Sequence, residues 1–461
     1  MHRMRRMDRS VAVRHPRRGE RHMTDIIDYA DKVWKGEANQ NAYHHGDLRT
    51  EGMHCIAEGT YMWPAFGNVY VFPTKAGLFV YDTGDRRTAE DLFAATRRIS
   101  EQPVHTAVYS HGHVDHVFGM EPFDTEARER GWTRPTVLAH ENVTRRFDRY
   151  KETRGYNGII NQRQFQAPNL VWPDEYRYPD VTFADQTTLA VDDLQVQLHH
   201  ARGETDDAAI AWIPDRKILC CGDFFIWASP NAGNPQKVQR FAHEWARTLR
   251  WMADLGAEIL LPGHGLPVLG ADRIRTTLTD AAELLEILHG RTLEMMNAGA
   301  TLDEVVHSVA APGELLRKPY LAPSYDEPEF VIRNVWRLYG GWYDGNPAHL
   351  KSAPRADLAR EIADLGGGAA QLAERARALL ARGEHRLAGH FAQMATDADP
   401  QNRDSHQVRV DVFGQLEQGA TSTMAKGVYG WAVAESRAFL DGSDHATELK
   451  AKTAGRARWA F

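Results

Sequence analysis

Residues 108–119 read VYSHGHVDHVFG, and positions 111–116 of this stretch hold three histidines and one aspartate. Imidazole and carboxylate are the side chains that hold divalent cations, and so many polar groups crowded into apolar text are costly to bury without a shared partner. His111 and His113, two residues apart at the end of an apolar run, point to the same side of an extended chain, while Asp115 and His116 come from the turn beyond. The chemistry implied is metal binding. Zinc takes about four ligands, with one position open to water in a catalytic site, so this cluster cannot close two sites alone. Three downstream positions can supply the rest, each after apolar strand-like text: Glu204 in ARGETDD, Asp223 in CCGDFF and His264 in LPGHGLP.

Those residues need elements to carry them. From about residue 60 to 270, short apolar runs alternate with turn residues: NVYVFPTKAGLFVYDTGD, VHTAVYSHGH, PTVLAHE, LQVQLHHARGE, AAIAWIPDRKILCCGD and AEILLPGHG read as strands ending in polar loops. TAEDLFAATRRI and VQRFAHEWARTLRWMADLG carry helical periodicity between them, which indicates stacked layers of sheet and helix. From about 271 onward the text favours amphipathic helices, and 368–420 reads as paired antiparallel helices. The expected divisions are a basic leader at 1–22, a catalytic domain at 23–300, a linker at 301–324, a helical domain at 325–445 and a tail at 446–461.

Composition narrows the function. A chain of 461 residues exceeds the usual single domain, and a formal charge of -7 disfavours nucleic acid as a partner, because phosphate neutralisation calls for excess Lys and Arg. The three cysteines, Cys55, Cys220 and Cys221, do not suit a disulfide framework; the adjacent pair reads as inert strand thiols. No apolar run is long enough for a membrane span, and the Arg-rich first residues lack the apolar middle of a secretory signal, so the cytoplasm is the expected compartment.

HGHVDH, the DTGD at Asp82 to Asp85, the GD at Asp223 and the GHG at His264 together resemble the metallo-β-lactamase superfamily. The resemblance implies an α/β fold, a four-layer αββα sandwich over roughly residues 50–270, with a dinuclear metal site at one sheet edge. Glu204 stands where the superfamily usually offers a third His, a substitution shared by its alkyl sulfatases. YGGWYDGNPAHL and the helical text from GEHRLAGHF onward are similar to the all-α dimerisation domain of those sulfatases. By this resemblance His111, His113 and Glu204 hold one zinc, Asp115, His116 and His264 a second, and Asp223 bridges the two. A metal-bound hydroxide then acts as nucleophile or general base, with Asp115 and Asp223 as the catalytic carboxylates. Asp82 orients a ligand histidine or stabilises its turn. The resemblance further implies a homodimer through the helical domain; a C-terminal sterol-carrier-like domain is not expected.

For the substrate, Asn231 in ASPNAGNPQK takes the position of an Asn that contacts sulfate in those enzymes. Their sulfate-binding Arg finds no match at its spacing, where Gln236 stands with Lys237 beside it, and neither copies the bidentate grip of a guanidinium. Tyr156, Arg163, Arg202, Asp207 and Asn234 are further polar candidates. FFIWASP and NLVWPDEY are either core or the lining of an alkyl pocket. The expected activity is hydrolysis of a small ester, an alkyl sulfate first. A lactone, carboxyl ester or phosphodiester, or iron-dependent redox chemistry on the same fold, stands as the alternative.

Overall fold

The computed structural model describes residues 25–38 and 52–453, so the expected leader and the end of the tail lie outside the described residues. Seven strands form the first sheet in sequence order: β1 (His54–Ala57), β2 (Thr60–Trp63), β3 (Val69–Thr74), β4 (Gly77–Tyr81), β5 (Val104–Val108), β6 (Thr136–His140) and β7 (Val181–Phe183). It begins as an antiparallel meander and becomes parallel from β4 onward. The second sheet runs from β8 (Gln186–Val191) through β9 (Leu194–Ala201), β10 (Ala208–Ile213), β11 (Ile218–Gly222) and β12 (Ile259–Pro262) to β13 (Val268–Leu269), with β11 and β12 parallel.

The alternation of strand side chains builds the layers. Tyr70, Phe72, Phe79 and Tyr81 face the second sheet, meeting Leu198, Ile210 and Leu219, whereas Val69, Val71, Leu78 and Val80 face the other way. Because both faces are buried, β3 and β4 read as continuous apolar runs. The outer face of the first sheet is covered by α2 (Ala89–Ile99), α3 (Glu121–Arg130) and α4 (Asn142–Glu152), which follow the short N-terminal α1 (Ile26–Trp34); Leu92, Phe123, Val143 and Phe147 make that contact. After α5 (Arg154–Phe165), the second sheet is covered by α6 (Ala242–Asp254) and α7 (Ala271–Asn297) through Trp245, Leu249, Leu278 and Leu285. Each of these large side chains contributes roughly 1.5–3 kcal/mol on burial. The result is the four-layer αββα sandwich followed by an all-helical region.

The segment expected as a linker, 301–324, holds two short helices, α8 (Leu302–Ser308) and α9 (Gly313–Leu316). The first starts at a capping box, in which Thr301 Oγ1 accepts from the Glu304 amide and Glu304 accepts from the Thr301 amide. Val305, Leu315 and Leu321 join the sandwich core, as do Val331 and Val335 of α10 (Pro328–Gly340), so by packing this stretch continues the sandwich. The separate helical core begins past α11 (Pro347–Leu350), with α12 (Arg355–Gly366), α13 (Ala369–Ala381), α14 (His385–Ala398), α15 (Arg403–Gly419) and α16 (Thr423–Asp441), ending in α17 (His445–Thr453). Ala373, Ala376, Ala388, Ala392 and Ala395 dominate it, small side chains that let helices approach closely around Leu372, Leu379, Val408 and Val412. Among the described residues, no helix is long and apolar enough to cross a membrane.

Candidate metal centre

Strand ends of both sheets deliver the candidate ligands to one place. His111 to His116 follow β5, Glu204 follows β9, Asp223 follows β11 and His264 follows β12. Their donor atoms gather in two groups, one of His111, His113, Glu204 and Asp223, the other of Asp115, His116 and His264, each group within 4.8 Å. His111 Nε2 and His113 Nδ1 lie 2.8 Å apart. Asp223 faces both groups: its carboxylate oxygens stand 3.6 Å from His111 Nε2, 3.5 Å from His116 Nε2 and 3.4 Å from His264 Nε2. Asp115 Oδ2 is 3.5 Å from both His116 Nε2 and His264 Nε2.

Two features make this set fit divalent cations. His116 Nε2 and Asp223 Oδ1 are buried and find no hydrogen-bond partner among the described residues, although each points at the other group's donors. Buried polar atoms are ordinarily satisfied, and a cation between them would satisfy both. The nitrogen and carboxylate donor mixture suits zinc and its first-row neighbours. Burial raises the Asp223 carboxyl, but His264, His116 and His111 outweigh that and hold it well below the usual range. Burial pushes Glu204 up to about 7 in spite of Arg240.

The surroundings fix the ligands. Asp82, just past β4, adopts a φ of +61°, a left-handed conformation that Asp tolerates better than most residues. One of its oxygens accepts the Ser110 amide at 2.6 Å and the other accepts His116 Nδ1–H at 2.8 Å, which leaves Nε2 of His116 bare toward the centre. Ser110 Oγ contacts His111 Nδ1 at 2.9 Å and does the same for that ring. Behind the loop, Asp207 accepts Arg146 Nε–H at 2.5 Å and the Gly112 amide at 3.2 Å. Burial opposes the charge on Asp207, but Arg146 wins and holds it at about 2. Close approach also demands glycine: a Cβ at Gly263 would stand 2.0 Å from Asp223 Oδ1, and one at Gly67 would stand 2.2 Å from the Asp115 carbonyl. Cys220 and Cys221 are buried thiols whose ionisation burial pushes up strongly.

The centre forms the floor of a cleft of about 590 Å³ including its mouth. Its lining combines polar Asn231, Asn234, Lys237 and Arg240, Asn161 and Gln164 of α5, and apolar Phe66, Phe165, Trp172, Ile226 and Tyr325, with Lys237 Nζ 5.7 Å from the Trp172 ring. Asn231 Nδ2 donates to Glu204 Oε1 at 2.7 Å. Lys237 Nζ donates to Asn161 Oδ1 at 2.8 Å, and burial, with Arg240 adding to it, pushes its ammonium down to about 7. The other expected contacts stand elsewhere. Tyr156 is 63% exposed, because it lies about 140° around α5 from Asn161 at 3.6 residues per turn. Arg202 stacks over Phe241 at 3.8 Å and pairs with Glu244, outside the lining. Gln236 turns from the cleft to accept Arg163 Nη1–H at 2.5 Å.

Arg240 escapes the sequence reading. It stands four residues past Gln236, yet its side chain returns to bond Glu204 and the Asn231 carbonyl, leaving buried Nε without a hydrogen-bond partner among the described residues. Asn161, Gln164, Phe165 and Tyr325 escape it too, having no motif around them.

Comparison with known proteins follows this geometry. The family model for the metallo-beta-lactamase superfamily matches residues 62–264, and that for alkyl sulfatase dimerisation matches 301–438. A linear primary-alkylsulfatase of Pseudomonas sp. is 24% identical over 81% of this chain and 74% of its own length. An (R)-specific secondary-alkylsulfatase of Pseudomonas sp. is 28% identical over 78% of this chain and 58% of its own length, so the chain spans under two thirds of that relative. The solved stereoselective inverting sec-alkylsulfatase Pisa1 from Pseudomonas sp. superposes with a TM-score of 0.75 at 24% identity, covering 87% of this chain and 67% of its own.

Proposed function

Because the metallo-beta-lactamase superfamily model matches residues 62–264 and the alkyl sulfatase dimerisation model matches 301–438, we propose that this protein is a hydrolase that cleaves alkyl sulfate esters at a centre of two zinc ions. One observation carries the reading: a single cleft brings the ligand cluster together with cationic and amide side chains and with aromatic ones. An amphiphile with an anionic head and a hydrocarbon tail matches both kinds of lining. Lys237, Asn231 and the unpartnered Nε of Arg240 suit the head group's oxygens, and an ionised donor makes such a bond stronger than a neutral one. Phe66, Phe165, Trp172 and Tyr325 suit the tail.

His111, His113 and Glu204 would hold one cation, Asp115, His116 and His264 the other, with Asp223 between them. When bound, the two cations supply Lewis acidity and bring the pKa of water to about 7. The protein's own part is orientation: Asp82 and Ser110 fix the imidazoles, and the aromatic wall keeps bulk water from the tail. A homodimer through the helical domain belongs to the same proposal, supported by the exposed apolar surface of Leu358 and Leu365, the latter 91% accessible.

The decisive experiment incubates purified, zinc-loaded protein with alkyl sulfates, lactones, carboxyl esters and phosphodiesters, and assays inorganic sulfate and alcohol. Stoichiometric sulfate from the alkyl sulfates is expected. No sulfate from any of them, alongside turnover of another class, would end the sulfatase reading. Metal analysis giving one iron per chain, with oxygen consumption, would end the hydrolase reading.

A further inference from the structure

Part of the cleft wall is braced by the last long helix of the chain. α16 meets the C-terminal turn of α5 at Gly427, where a Cβ would stand 2.4 Å from the Gln164 carbonyl oxygen and 2.5 Å from that of Arg163. Both obstacles are main chain, so no side-chain rotation relieves the contact and α5 itself would have to shift. That turn carries Gln164 and Phe165, with Asn161 one turn earlier, all three facing the cleft. Gln166 closes α5 at a φ of +51° and donates to the Lys426 carbonyl and to Glu417 Oε1, both at 3.1 Å.

The same joint reaches the 231–240 loop, which also lines the cleft. Gln236, which accepts from Arg163, places its Nε2 3.0 Å from the Met424 sulfur of α16. The next residue, Lys237, returns to α5 through Asn161. Helix α16 thus touches both the helix and the loop, two neighbouring elements that each contribute to the cleft lining.

We propose that Gly427 is a positioning residue for the substrate: its bare Cα lets α16 hold α5, and with it the cleft-lining Asn161, Gln164 and Phe165, where the alkyl chain requires them. The inference rests on the reading of the cleft as an alkyl sulfate site. It gives the helical domain a role in selectivity beyond joining two copies. The candidate metal ligands lie at strand ends, on other elements, so a disturbance at Gly427 acts on the tail's fit ahead of the metal content.

The test uses the full-length, zinc-loaded protein with Gly427→Ala, the milder Gln166→Asn, and Gly414→Ala as a control on α15, where an added Cβ meets nothing within 4 Å. In Gly427→Ala the ratio of KM for dodecyl sulfate to KM for hexyl sulfate is expected to move about fivefold or more, since each methylene of fit is worth a measurable factor. Its kcat for hexyl sulfate stays within about twofold. Amide hydrogen exchange over 158–166 speeds up, while metal content and mass in solution hold. Gln166→Asn moves the same readouts less, and Gly414→Ala moves none. An unchanged KM ratio and unchanged exchange over 158–166 in Gly427→Ala overturn the proposal. So does an equal loss on both substrates with loss of metal, the mark of general damage. If the parent protein hydrolyses neither sulfate, the functional reading fails by itself, and the exchange over 158–166 still decides whether Gly427 holds α5 in place.

Discussion

The candidate metal ligands and the residues facing them across the cleft are built differently. The ligands stand one to a few residues past strands whose neighbours are fixed by sheet hydrogen bonds and by a core of Tyr70, Phe79, Ile210 and Leu219. The cleft wall comes from α5, the 231–240 loop and the segment after α9, held by long side chains such as Arg163, Gln236 and Lys237. Rigid backbone sets the first region, and a web of replaceable contacts sets the second. A fold built this way can keep its chemistry constant while its substrate range drifts.

Substitutions can break that contrast, beginning at the centre. Asp223→Ala removes the carboxylate that faces both ligand groups, and turnover is expected to fall below detection with the circular dichroism spectrum and the mass in solution unchanged. Residual turnover near the parent rate would place the chemistry elsewhere. Asp82→Asn acts one step behind, through His116, and zinc affinity measured by competition with a chelator is expected to drop about 10–100-fold.

Wall substitutions should act on binding more than on turnover. Lys237 titrates near 7, pushed down chiefly by burial: below that pH it is an ammonium that attracts an anionic head group, above it a neutral amine. KM for an alkyl sulfate should therefore rise as pH climbs through 7, by about tenfold for one charge-assisted hydrogen bond. Lys237→Met should raise KM at low pH and abolish the step; a step that persists would assign it to another group. Smallest of all, Tyr156→Ala and Arg202→Ala stand outside the cleft, and kcat/KM should stay within about twofold.

The contrast also explains what the sequence could disclose. His111, Asp223 and His264 are legible because each closes an apolar strand run, and a polar group in that position has few structural reasons to exist. The sandwich is legible for the same reason, through the doubly buried runs of β3 and β4. The wall is not. Arg240 acts through a side chain long enough to reach back to the Asn231 carbonyl, so spacing along the chain misleads. α5 lacks an apolar stripe strong enough to mark it apart from a loop, which hid the face that carries Asn161 and Gln164. Residues 301–324 carry turn-rich text between short helices, yet Val305, Leu315 and Leu321 bury themselves in the sandwich, a fact settled only by tertiary packing.

The split of the ligands between the two sheets has a consequence for the order in which the protein matures. His111, His113, Asp115 and His116 belong to the first sheet, while Glu204, Asp223 and His264 belong to the second. Each ligand group draws on both sheets, so in a growing chain the first group is incomplete until Asp223 past β11 has been made, and the second until His264 past β12. A cation held there would tie the two sheets together like a rivet, and its binding free energy would add to that of the fold.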